Sequence, residues 1–198
     1  FIEAPFSDTE ALSLFLSQVD VVTCEFENIP ASLLEEISNS KPVYPQASFF
    51  SVTQDRVIEK NFLRESGIPT VDFVSVEPNT TFSELQDAVG LPFFLKSRSG
   101  GYDGKHQYRV KSDSDWNALP VGLFSETPFI AEAFAPFDFE ISTIGVRSTT
   151  GECVVYPSST NHHKDGILSL SQVEELPKTL QSQASAMVTS FMTQHAYV

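Results

Sequence analysis

The sequence predicts two classes in succession: an α/β N-terminal part, then an α+β region with an antiparallel sheet. Three observations carry this. Strand-like and helical apolar patterns alternate over the first 48 residues. A capped amphipathic helix then runs to Gly67, and Ile68-Pro69 breaks the pattern. Beyond that break, short apolar runs joined by glycine- and aspartate-rich turns outnumber the helices.

Each element has a local reason. Phe1-Ile-Glu-Ala-Pro-Phe6 is strand-like, and Ser7-Asp-Thr-Glu10 has the spacing of a capping box. Leu12, Phe15, Leu16 and Val19 then share one helical face. Asp20 to Phe26 predicts a buried strand, Pro30 to Ser38 a helix with Pro in its first turn, and Lys41 to Pro45 an extended piece. Thr53 to Ser66 reads as one amphipathic helix ended by Gly67.

In the second region, strands are predicted at Thr70 to Val76, Leu91 to Arg98, His106 to Lys111, Phe129 to Ala135, Phe139 to Arg147 and Glu152 to Tyr156. Helices are predicted at Phe82 to Val89, Asp113 to Leu119 and Pro177 to His195. No internal repeat is visible.

The formal net charge is -14 over 198 residues. Such a surface repels nucleic acid and anionic membrane, so neither is expected as a partner. The basic residues are therefore informative. Of twelve Lys and Arg, five fall between 96 and 111: Lys96, Arg98, Lys105, Arg109 and Lys111. Cys24 and Cys153 lie in apolar runs and read as reduced, buried thiols of a cytoplasmic protein.

The basic residues bracket the segment Lys96-Ser-Arg-Ser-Gly-Gly-Tyr-Asp-Gly-Lys-His-Gln107. Glycine lets backbone N–H groups approach a bulky anion. A lysine–phosphate pair at 4 Å is worth ~4 kcal/mol at an effective dielectric of 20. The segment is not a P-loop: Gly100 and Gly104 are spaced one residue too closely, His106 replaces the hydroxyl, and a strand follows. An ordinary hairpin tip would have the same glycines and aspartate; the flanking charges favour phosphate.

Other groups read more plainly. Asp113-Ser-Asp-Trp-Asn117 starts like a calcium loop but lacks its later glycine and glutamate, so it is a helix start. His162 and His163 point apart on a strand and make a poor metal pair; Asn161 to Asp165 reads as a polar loop. Glu132 and Glu140 stand inside apolar strands, where an acid needs partners. A ribose, an adenine amino group or open water would each serve.

Together these pieces resemble one family. Val-Val-Thr-Cys-Glu-Phe-Glu-Asn-Ile-Pro30, Gln-Asp-Arg-Val-Ile-Glu-Lys60, Gly-Ile-Pro-Thr70, Gly-Gly-Tyr-Asp-Gly104, Tyr-Pro157 and Asn-His-His-Lys-Asp-Gly-Ile-Leu168 are similar to the N5-carboxyaminoimidazole ribonucleotide synthetases. These are ATP-grasp ligases of purine biosynthesis. The resemblance runs nearly end to end. It implies a partial Rossmann-like pre-ATP-grasp domain over 1–48, a connecting helix over 49–68 and an ATP-grasp nucleotide-binding domain over 69–198, truncated at its C-terminal end. It further implies ATP and Mg2+ as cofactors, with the Mg2+ ligands beyond Val198. The substrates would be aminoimidazole ribonucleotide and bicarbonate, and the parent, often dimeric in this family, would be cytoplasmic. Another ATP-grasp carboxylate–amine ligase, or an inactive nucleotide-binding module, is the alternative.

The resemblance also implies roles for residues. Arg56 and Lys96 would contact phosphates. Gly101, Tyr102, Asp103, Gly104, Lys105, His106 and Gln107 would form the phosphate flap. Glu132, Ala133, Phe134 and Ala135 would meet adenine, Glu140 the ribose, and His163 the nucleotide. Tyr102 and Asp103 would face the aminoimidazole, with Asp103 orienting or deprotonating its amine. No metal ligand is assigned within the chain. Glu25 and Glu27, at a strand end, suit a substrate pocket. The chain departs from the family at His106, where glycine is usual. Histidine there either strains a left-handed backbone or adds a phosphate contact.

Overall fold

The computed structural model describes residues 1–100, 106–164 and 166–198. The N-terminal part holds helices α1 (Thr9–Ser17) and α2 (Ala31–Ser38). Asp8, not Ser7, caps α1: its Oδ1 accepts from the Glu10 and Ala11 amides at 3.1 and 3.0 Å. Residues 1–6 form no strand. The expected strand over Asp20 to Phe26 is reduced to one parallel bridge, Val22 to Val43. Val22 donates to Pro42 and accepts from Tyr44, both at 2.9 Å. Only the short 41–45 segment lies alongside, so the pairing ends there. Val22, Leu34, Ile37, Val43, Ala47 and Phe50 bury together as the first core.

The amphipathic helix predicted over Thr53 to Ser66 is α4 (Arg56–Glu65), but the connecting helix expected over 49–68 is not continuous: a separate helix, α3 (Ala47–Thr53), precedes it. Asp55 makes the break. Its carboxylate accepts from the Val57 and Ile58 amides at 2.9 and 3.2 Å, which starts a new helix there.

The second region builds a four-stranded antiparallel sheet from β1 (Phe73–Val76), β2 (Phe93–Ser97), β3 (Gln107–Val110) and β4 (Phe129–Ala133), in the order β1-β4-β2-β3. Helix α5 (Phe82–Val89) has a full Thr81–Glu84 capping box and ends at Gly90, φ 73°. Short helices α6 (Asp113–Asn117) and α7 (Leu123–Glu126) follow β3. Side chains alternate across a strand. One sheet face therefore carries Phe93, Leu95, Val110, Phe129 and Ala131, packed with Leu85 and Val89 of α5 as the second core. Phe93 and Phe129 are wholly buried, worth about 1.5–3 kcal/mol each.

The remaining strands are β5 (Glu140–Ser142), β6 (Gly145–Arg147), β7 (Cys153–Val155), β8 (Ser159–Lys164) and β9 (Ile167–Val173). The single strand expected over Phe139 to Arg147 is split between two sheets, β5-β8-β9 and β6-β7. Residues 161–164 of the expected loop are instead the end of β8. That strand reads Ser-Thr-Asn-His-His-Lys, too polar for an apolar alternation to reveal it. Among the described residues, no helix is long and apolar enough to cross a membrane.

Helix α8 (Lys178–Gln194) ties the regions together. Phe191 and Tyr197 join Phe49 and Phe62 in an aromatic cluster, with Phe49 and Tyr197 ring centroids 4.6 Å apart. His195 Nε2 lies 2.7 Å from Ser66 Oγ, and Gln46 donates to the Ala196 carbonyl at 2.7 Å. Gly145 of β6 lies directly under α8. A Cβ at this position would fall on Val188 Cγ1 and Met192 Cε. Gly145→Ala should therefore cost about 1–3 kcal/mol by overpacking, read as a lower urea midpoint with unchanged slope.

Candidate functional site

The other face of the four-stranded sheet is charged. Register places Phe73, Glu132, Phe94 and Arg109 in one cross-strand row, and Ser75, Ile130, Lys96 and Gln107 in the next. Glu132 is at the centre, its side chain only 6% exposed. Lys96 Nζ donates to its Oε2 at 2.7 Å, and Lys60 Nζ, from α4, stands 3.5 Å from Oε1. Among the described residues, Oε1 is buried and accepts no hydrogen bond. The partners that this strand acid requires are thus two lysines of the chain itself.

Helix α4 is fixed over this face by its first residues. The Arg56 amide donates to the Arg98 carbonyl at 2.9 Å, and its Nη1 to the Ser97 carbonyl at 2.7 Å. Arg98 returns the contact: Nη2 meets Asp55 Oδ2 at 2.7 Å and Nε donates to Oδ1 at 3.2 Å, a bidentate pair. Asp55 therefore both caps α4 and anchors it to the end of β2. Burial raises the Asp55 pKa, but the Arg98 side chain, the two capping amides and the Arg98 charge outweigh burial and hold the carboxyl below its usual range. Sequence reasoning misses Asp55 and Arg98 as site residues. A signal for Asp55 is present: an Asp just ahead of an amphipathic run is a cap.

The edge of this face is aromatic. Phe94 and Phe134 stack with centroids 6.3 Å apart, and the Arg109 guanidinium sits 5.8 and 5.4 Å from their rings. Ala133 ends β4, so Phe134 and Ala135 lie just past the strand rather than in it.

Glu140 lies on β5, opposite Asn161 of β8. Asn161 Nδ2 donates to Glu140 Oε1 at 2.9 Å and to Ser142 Oγ at 2.7 Å, and Ser171 donates to its Oδ1 at 2.8 Å. His163 Nε2 is 3.8 Å from the same Glu140 oxygen. A bulge between His162 and His163 re-aims the strand there. The structure thus brings together Arg56, Lys96 and Glu132 in one group, and Glu140 and His163 in another. His106 has φ 55°, so of the two expectations for this position it is the left-handed backbone that the structure bears out. Gly101, Tyr102, Asp103, Gly104 and Lys105 lie outside the described residues.

A cavity of about 410 Å³ opens where the two parts meet; Glu25, Glu27, Phe49, Glu59, Phe191 and Tyr197 are among its walls. Gln54 Nε2 holds the loop behind it, donating to the Glu27 and Ile29 carbonyls at 2.8 and 2.7 Å. Burial raises the pKa of Glu59; the Lys60 and Arg56 charges lower it, while Glu27 and Glu132 raise it further. Both cysteines are free and half-buried rather than buried.

Comparison with known proteins gives the family. The ATP-grasp domain family matches residues 61–198, and the ribonucleotide synthetase preATP-grasp domain family matches residues 1–54. The N5-carboxyaminoimidazole ribonucleotide synthase of Pseudomonas aeruginosa is 38% identical over 197 residues, covering 100% of this chain and 54% of that protein. The crystal structure of an ADP complex of N5-carboxyaminoimidazole ribonucleotide synthetase superposes with a TM-score of 0.90 at 30% identity, covering 98% of this chain and 52% of the other. The synthetase from Thermus thermophilus gives a TM-score of 0.87 at 34% identity, covering 100% and 53%. The chain spans about half the length of the relatives it matches.

Because the folded-state pKa of Asp55 is depressed, its contribution to stability is fully present above the unfolded value, about 3.9, and is lost as pH falls through the folded value. In urea titrations, the stability gap between the parent chain and Asp55→Asn should therefore be constant near neutrality and shrink below about pH 3.9.

Proposed function

The chain belongs to the ATP-grasp family, and from that premise we propose that it serves the ATP-dependent carboxylation of 5-aminoimidazole ribonucleotide by bicarbonate. One observation carries the reading furthest: the ion-paired Lys96 and Glu132 on the charged sheet face, at the end of the strand that leads into the glycine run.

The chemistry explains the demand for such a site. Bicarbonate is a poor electrophile because hydroxide leaves badly. Attack of a bicarbonate oxygen on the γ-phosphorus releases ADP and gives carboxyphosphate. The exocyclic amine then attacks the carboxyl carbon, phosphate leaves, and a base takes the amine proton. Carboxyphosphate hydrolyses readily, so water must be kept out.

In this reading Lys96 and Arg56 hold the phosphates. Phe94, Phe134 and Arg109 offer the adenine ring a stacking surface, and the β4 end with Ala133 to Ala135 supplies backbone groups to its edge. Glu140, already oriented by Asn161, accepts from the ribose hydroxyls, with His163 beside it. The glycine segment from Gly101 to Gln107 closes over the phosphates, with Tyr102 facing the aminoimidazole and Asp103 orienting the amine or taking its proton. The cavity walled by Glu25, Glu27 and Glu59 presents acceptors to an amine- and hydroxyl-bearing substrate. Mg2+ would offset phosphate charge. Among the described residues no group of three or more His, Cys, Asp or Glu gathers to hold it, so no step is assigned to it. Domains at 1–48 and 69–198 joined through residues 49–68, a cytoplasmic setting and a homodimeric parent belong to the same proposal.

Calorimetric titration of the chain with ADP tests the nucleotide half. Lys96→Ala should weaken binding by about tenfold or more, the effect of losing one charged phosphate contact; unchanged affinity overturns the assignment. In the whole protein, phosphate release from ATP should require both aminoimidazole ribonucleotide and bicarbonate. Release that needs a different amine would instead indicate another ligase of this family.

A further inference from the structure

Lys60 has no role in the reading above, yet it reaches the most deeply buried charge of the site. It projects from the second turn of α4, with its side chain 18% exposed and its ammonium 5.8 Å from the Phe73 ring. Among the described residues, Glu132 therefore has two cations on different oxygens: Lys96 tightly on Oε2 at 2.7 Å, and Lys60 loosely on Oε1 at 3.5 Å.

The asymmetry has a consequence for ligand binding. A nucleotide phosphate that draws Lys96 to itself must take it from Glu132. A buried carboxylate that loses its sole cation is left with a desolvation penalty that nothing compensates. Without a second cation, that cost would oppose the nucleotide. Lys60 removes it. Since it holds the other oxygen, Lys96 can leave without displacing it, and the 3.5 Å contact has room to tighten. Its helix is pinned over the sheet by Asp55 and Arg98, so the ammonium stays in place during the exchange.

We propose that Lys60 is a positioning residue for nucleotide binding: it keeps Glu132 paired while Lys96 turns from that carboxylate to phosphate. The inference rests on the nucleotide reading of this site.

A double-mutant cycle with ADP as the probe tests it. Lys60→Met should weaken ADP binding by about tenfold or more, from the stranded carboxylate, and Lys60→Arg should restore most of the affinity. In a Glu132→Gln background, Lys60→Met should change ADP affinity by less than about twofold, because no charge remains to be stranded. Equal losses in both backgrounds would mean that Lys60 acts on the nucleotide directly or only supports the fold, and would overturn the proposal. So would unchanged affinity in the single variant. A measurement on the unmutated chain covers a variant that fails to fold: acetylation of Lys60 by acetic anhydride should slow when ADP is added. An unchanged Lys60 rate in the presence of bound ADP overturns the proposal. If the parent chain does not bind ADP at all, the nucleotide reading itself fails and the proposal falls with it.

Discussion

A carboxylate buried in the middle of a sheet sets the terms for the rest of this molecule. Glu132 stands on the central strand β4, with β1 on one side and β2 on the other. An acid there must be compensated from both sides. Lys96 comes from the neighbouring strand and Lys60 from the helix above. The need for the second cation determines where α4 must lie, and the Asp55–Arg98 pair puts it there. One sheet face is thus sealed by aliphatic and aromatic side chains against α5. The other holds fixed charges in a place where water is partly excluded, which is where a charge acts most strongly on an anion.

The two cores are joined by returning chain rather than by a continuous sheet. Helix α8 and the segment to Val198 lay Phe191, His195 and Tyr197 onto Phe49 and Phe62, and Gln46 bonds the backbone at both Ala196 and Val198. The carboxylate-lined cavity exists because of this closure: Phe191 and Tyr197 supply one wall, and Glu25, Glu27 and Glu59 supply others. Packing between residues some 150 positions apart thus shapes a pocket that the charged sheet face alone would not provide.

Much of this is legible in local sequence. The Phe82–Val89 helix has its capping box and its glycine stop within ten residues, so its bounds follow from short-range hydrogen bonding. Phe93–Ser97 and Phe129–Ala133 are short, mainly apolar runs, the signature of strands in the interior of a sheet. The basic cluster, Glu132 and Glu140 stand out because charge inside an apolar strand demands an explanation. The break at Asp55 is masked by apolar spacing that continues across it, although the cap itself is readable. The strand-like run from Asp20 proves to be almost unpaired, because β propensity does not supply a neighbouring strand.

Local sequence is enough to specify the family and the succession of classes and to single out a few charged residues, because motifs, caps and periodicity act over distances of one to ten residues. What those charges meet is set by the folded chain. That Glu132 pairs with two lysines, that Arg98 binds Asp55, and that polar β8 is a strand holding Asn161 against Glu140 are all consequences of strand register and helix placement. Such contacts join residues 21 to 72 positions apart, and no local preference of the chain encodes a partner at that range.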